Sequence, residues 1–176
     1  MRYRMKSGVL FLPGSGERCA QIKSAFWGAR RSISLADGGA QYQTDIDLLE
    51  APAGRSGDVR YHVYTLKDGD GEVLMQARPG YAVEDDPDLV GWPICRVPRV
   101  DHADVSLEGS AYSLVMHNSQ NYSLQGESEP AALRIMHEGI SGGWTMEAAR
   151  AFAPQVLCGL FIFCRYMEQE NEFIVV

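Results

Sequence analysis

From Val156 to Cys164 the chain has almost no polar side chain: Val156, Leu157, Cys158, Leu160, Phe161, Ile162, Phe163 and Cys164 are interrupted only by Gly159. A helix that is apolar on every side has to be surrounded by protein or by lipid. The run is far too short for lipid, since a bilayer core takes about 20 residues. It therefore predicts a buried helix over about 154–170, with the preceding segments as its enclosure. Pro154 suits the first helical turn, where its missing N–H costs nothing. The good helix formers of Met146 to Ala151 leave an earlier start open.

The chain has 176 residues, 45% of them hydrophobic, enough for one domain spanning 1–176 with a substantial core. Its 23 acidic and 16 basic residues give a formal net charge of −7. That balance argues against nucleic acid, whose phosphates need clustered Lys and Arg. A local basic pocket for an anionic lipid or small ligand is compatible with it. Cys19, Cys95, Cys158 and Cys164 form no C-x-x-C pair and read as small core residues in a reducing compartment. The apolar run near the N-terminus, Val9 to Leu12, is too short for a signal-peptide core, which points to a cytoplasmic protein that is not integral to a membrane.

Before the helix the segments are short, alternating and separated by turn residues. Tyr3–Lys6, Val9–Leu12 and a stretch through Cys19, Ile22 and Ala25–Trp27 read as strands. Arg31–Leu35, the turn Asp37-Gly38-Gly39 and Tyr42–Leu49 form a predicted hairpin, because Asp-Gly supplies the positive φ that tight turns require. Tyr61–Lys67, Asp68-Gly69-Asp70-Gly71 and Glu72–Ala77 form a second. Ile94–Val100, Ala103–Leu107, Tyr112–Met116 and Tyr122–Gln125 read as four more strands, and Ala132–His137 with Trp144–Glu147 as a last hairpin. Phe173–Val176 reads as a terminal strand or tail. Strands at this spacing form a sandwich or a barrel. A helix of about 16 residues is about 24 Å long, and strands of five to seven residues span about 17–23 Å. The match favours a mainly β fold: a closed antiparallel barrel of about twelve strands around the C-terminal helix.

The arrangement resembles the tubby C-terminal-like superfamily, which also includes phospholipid scramblases and LURP-one-related proteins. The residues that carry the resemblance are Ile33–Tyr42 and Tyr64–Glu72, each a strand running into an Asp-Gly turn, and Trp144–Glu147 with Phe152–Tyr166. The resemblance implies a β-barrel threaded by a hydrophobic helix, and a non-enzymatic binding or scaffold role, with an anionic lipid as a ligand class. A protein-interaction or assembly module without a small ligand is a further reading. Arg30 and Arg31, with Lys23 upstream, are the candidate anion-binding residues.

An enzyme of another class is the alternative. Gly139–Gly143 matches G-x-S-x-G, with Ser141 as nucleophile and His137 or His102 as base; Asp101 and Asp104 flank His102. The elbow requires a strand–turn–helix in a parallel sheet, and no βαβ alternation precedes it, so a Gly-rich hairpin turn accounts for the same residues. Asp68–Glu72 starts like a calcium loop but has Pro79 at the twelfth position, where an acid belongs. Glu84, Asp85, Asp86 and Asp88 read as a solvated acidic loop. His62, His102, His117 and His137 lack metal-ligand spacing, so neither metal nor cofactor is expected. Trp27, Trp92 and Trp144 read as core or rim residues.

Overall fold

The computed structural model describes residues 1–24, 28–50, 61–82 and 99–172. They form twelve strands and one long helix: β1 (Arg2–Lys6), β2 (Val9–Phe11), β3 (Arg18–Ser24), β4 (Arg31–Leu35), β5 (Gln41–Leu48), β6 (His62–Lys67), β7 (Val73–Tyr81), β8 (Val100–Leu107), β9 (Ser110–Asn118), β10 (Asn121–Gly126), β11 (Leu133–His137), β12 (Trp144–Ala148) and α1 (Pro154–Glu172). Each strand pairs antiparallel with its sequence neighbours, and β1 also pairs with β12 from Arg2↔Glu147 to Met5↔Trp144. That last ladder closes the barrel. The Met1 ammonium donates to Ala148 O at 2.6 Å, and Ala148 N–H to Met1 O at 2.8 Å, extending the seam.

Both Asp-Gly hairpins form where their turn chemistry places them. Asp37 Oδ1 accepts from Gly39 N–H at 2.9 Å, and Gly38 takes φ 72°. Asp68 Oδ1 accepts from the backbone of Asp70 at 3.0 Å and of Glu72 at 2.9 Å, so this carboxylate is committed to its own turn. Two further tight turns, Ser7-Gly8 (φ 50° and 75°) and Glu108-Gly109 (φ 52° and 76°), have the doubly positive φ of type I′ hairpins. Val100 opens β8, merging with the predicted Ala103–Leu107 strand. Residues 94–98 of that predicted strand lie outside the described residues, as do Ala25–Trp27, Glu84–Asp88, Trp92, Cys95 and Phe173–Val176.

Alternate strand residues point inward, as the pleat demands. Tyr3, Met5, Tyr64, Leu66, Leu124 and Ile135 are among those in a single core with α1. Around the helix Val156, Leu157, Cys158, Leu160, Ile162, Phe163, Cys164, Tyr166 and Met167 are all buried, so it is enclosed as its composition requires. Gly159 sets the closest approach: a Cβ there would stand 2.8 Å from Met75 Cε and 3.1 Å from Leu66 Cδ2. No helix among the described residues is long and apolar enough to cross a membrane. Outward positions include Arg2, Arg4, Lys6, Gln76, Arg78 and Asp104, all exposed.

The strand directions define two ends. The helix starts at the head end, just past β12, and its last turn reaches the tail end, with the Ser7-Gly8 turn and the β11–β12 connection. One position within the helix departs from full enclosure. Phe161 is only half-buried, its ring edge-on to Trp144 with centroids 5.4 Å apart, because the flank it occupies looks past the short β1–β2 hairpin. Phe163, by contrast, is completely buried against Tyr64 and Tyr166. Phe163→Ala should cost about 3–5 kcal/mol in urea unfolding and Phe161→Ala roughly 1–2 kcal/mol. Equal costs at the two positions would refute enclosure on one face and exposure on the other.

Candidate functional site

The hairpin β1–β2 is the shortest in the barrel, and its turn ends level with Ile22 of β3, whose N–H donates to Gly8 O at 2.7 Å. Gly8 is required there: a Cβ would lie 2.9 Å from Ile22 O, and its φ is 75°. Beyond that turn the described residues leave the flank of α1 uncovered, and a cavity of 370 Å³ opens at the tail end. Ile22, Phe161 and Ile162 give it an apolar wall. Ser7, Ser24 and Gln169 supply polar groups, and Arg31 and Arg165 its charge. Among the described residues the lining thus carries two guanidiniums and no carboxylate.

Each guanidinium is anchored through one nitrogen. Arg31 Nη1 donates to the carbonyls of Gly28 (3.0 Å), Ala29 (2.8 Å) and Arg30 (2.9 Å), tying down the approach to β4. Arg165 Nη1 donates to the Glu168 carboxylate one turn on. Arg165 is the single charge in the apolar part of the helix, and it runs along the flank to place its head at the surface. Below it, the Tyr166 hydroxyl donates to Ala29 O at 2.6 Å and accepts from Thr44 Oγ1 at 2.9 Å. Burial pushes the Tyr166 phenol up to about 12, so it stays a neutral wall of the site.

The other side of the helix terminus is occupied by its own contacts. Glu170 Oε1 accepts from Tyr64 Oη and lies 2.7 Å from His62 Nε2. Burial, then the Glu170 charge, raises the Tyr64 phenol far above its usual range. Asn171 pairs with the backbone of Val100, accepting from its N–H and donating to its carbonyl, both at 2.9 Å. These bonds fasten the end of α1 to β6 and β8 and turn Glu170 toward β6.

Of the three candidate anion ligands, Arg31 alone lines the cavity. Arg30 is paired with Asp45 at 2.8 Å, and Lys23 is exposed on β3 opposite Ser32. Sequence reasoning missed Arg165, although a lone Arg in an apolar helix is a readable signal. The hydrolase residues are spread out. The backbone of Gly139–Ser141 makes one 3-10 turn between antiparallel strands, and His137 Nδ1 accepts from Gly139 N–H at 3.2 Å. His102 stands on β8, three strand spacings or about 14 Å of sheet from β11. There its Nδ1 is 2.5 Å from Asp101 Oδ1, and its ring covers Gly80, where a Cβ would be 2.2 Å from Nε2. His117 pairs with Ser123 at 2.8 Å. The four histidines thus sit on four different strands, and no group of three or more metal-ligating side chains exists among the described residues.

Burial raises the Cys158 and Cys164 thiols above 9.0, the ordinary value, and Tyr122 likewise moves upward from 10.0. Protons retained in the fold are lost by the unfolded chain at high pH. The stabilisation is therefore present below pH 9 and declines as pH rises through the ordinary thiol and phenol range. Thermal unfolding from pH about 8 to about 11 should show a falling Tm. In native protein neither thiol should react with iodoacetamide, while both should in urea; native labelling at either would contradict their enclosure. Compared with protein-family models, with curated proteins and with solved structures, the chain matches none.

Proposed function

We propose that this protein is a non-enzymatic binding module of the tubby-like kind, acting in the cytoplasm, and that it takes a phosphate-bearing anion in the tail-end cavity between Arg31 and Arg165. The observation that carries the reading is a cavity whose charged lining, among the described residues, is wholly cationic in a chain of net charge −7. Its volume of 370 Å³ lies within the range of about 300–1,000 Å³ typical of small-ligand sites. Guanidiniums are the groups of choice for phosphate, offering planar, charge-assisted donors. The closed barrel around a C-terminal helix supports the tubby-like assignment, and the free thiols Cys19, Cys158 and Cys164 support a reducing compartment.

Glu168 acts in this reading as an internal competitor, holding Arg165 until an anion of higher charge takes its place. Calorimetric titration with inositol trisphosphate, and with inorganic phosphate as the simpler probe, tests it without a bilayer. Arg165→Gln should weaken inositol trisphosphate binding about tenfold. Glu168→Gln should strengthen it by roughly threefold, since it removes the competitor. Absence of binding by the wild type, or binding indifferent to both substitutions, overturns the reading.

A further inference from the structure

The tail-end cavity has two walls whose side chains follow the same order. On β3, Ile22 and Ser24 share the inward face, and Ser24 is paired with Arg31 of β4. On α1, Phe161, Arg165 and Gln169 recur every four residues and so lie along one flank. β3 and α1 both run from the head end to the tail end, and they pack against each other. Each wall is therefore apolar first and polar about 6–7 Å further on, the advance of two strand residues or four helical ones. Ile22 and Phe161 form an apolar half. Ser24, Arg31, Arg165 and Gln169 form a half of hydrogen-bond donors.

The donors are open. Arg31 and Arg165 use only Nη1 in their contacts, which leaves Nε and Nη2 of both without a hydrogen bond among the described residues. The side chains of Ser7, Ser24 and Gln169 make none among these residues either. Asp45 is engaged by Arg30, and Glu168 by Arg165. The apolar half has a closed floor, since Ile162 is 3% and Tyr166 1% exposed. An acyl chain finds no depth there, whereas a flat body fits between Ile22 and the Phe161 ring. A purely polar anion fills the donor half and leaves that ring wet, forgoing the apolar contact.

We propose that the cavity takes a small phosphate monoester whose body carries a flat heteroaromatic ring, the chemical class of the nucleoside monophosphates. The phosphate lies between Arg31 and Arg165, with Ser24 and Gln169 as further donors. The ring lies between Ile22 and Phe161, and the Ser7 hydroxyl meets its polar edge. Phe161 thereby becomes the residue that selects for the ring. The inference rests on the binding reading above and adds to it the body that the phosphate carries.

Calorimetric titration of the full chain with two matched pairs is the test: ribose phosphate against adenosine monophosphate, and cyclohexyl phosphate against phenyl phosphate. Within each pair the charge is shared and the flat ring is not. The ring should raise affinity about tenfold in the first pair and about threefold in the second. Phe161→Leu keeps an apolar side chain beside Trp144 and should abolish both gains, with ribose phosphate bound as by wild type. Phe161→Tyr should retain them. Arg165→Gln should weaken all four ligands alike. A gain in one pair alone supports the proposal and assigns the ring to that attachment, through a sugar or directly. Equal affinities within both pairs, or gains that survive Phe161→Leu, overturn it. Equal affinities with inositol trisphosphate still bound remove the ring assignment and leave the binding reading; no binding of any phosphate removes both.

Discussion

The contact on which everything else rests is the ladder between β1 and β12. These strands lie at opposite ends of the strand sequence, and among the described residues their pairing is the only one not between sequence neighbours. Without it the sheet has two open edges and α1 has no enclosure. Without α1 the barrel has nothing to fill an interior lined by side chains such as Met5, Leu66, Leu124 and Ile135. The two requirements are mutual, which makes closure and helix burial a single cooperative event. The helix leaves the head end directly after β12, so the last element made completes both at once.

The same constraint explains where the cavity falls. A helix of 19 residues is about 28 Å long, whereas β2 has only three residues. Short strands cannot cover a long helix along its full length, so the β1–β2 sector leaves one flank open near the tail end. Phe161 and Arg165 lie one turn apart on that flank and divide the exposure between them. Phe161 shields the core beneath Trp144, and Arg165 carries its charge outward. On the covered side the same stretch of helix places Glu170 against Tyr64, where strands are long enough to meet it. The opening is thus a consequence of strand length, and its chemistry follows from which side chains the open flank holds.

Much of this architecture was legible in the sequence because it depends on local rules. The Asp37-Gly38-Gly39 and Asp68–Gly71 turns declare their hairpins, and the apolar run from Val156 declares an enclosed helix. Ser7-Gly8 and Glu108-Gly109 are legible only as breaks between strands, because they place a non-glycine residue at positive φ, which tertiary pairing enforces more than composition. The site was less legible. Arg31 was singled out for its neighbour Arg30, yet pairing with Asp45 separates the roles of the two. Arg165 was hidden by the apolar residues around it. Phe161 looks equivalent to Phe163 in sequence, and only the length of a strand far away in the chain distinguishes them. Motifs of short span, such as Gly139–Gly143, say little for the same reason: spacing fixes a turn, whereas catalysis needs partners from other strands.

Net charge illustrates how an average conceals an arrangement. A value of −7 argues against a polyanionic partner only if the charge is spread evenly. The head-end hairpin turns gather exposed carboxylates such as Asp37, Asp70, Glu72 and Glu108, whereas the tail-end cavity is lined, among the described residues, by Arg31 and Arg165 without a carboxylate. Antiparallel connectivity makes that separation simple, because successive connections alternate between ends, and acidic Asp-Gly turns recur on alternate connections. With a Debye length of about 8 Å at physiological ionic strength, the head-end carboxylates are screened from the tail across a barrel whose helix is about 28 Å long. The positive charge is thus local to the cavity lining, and the head-end carboxylates would oppose an anion there only weakly.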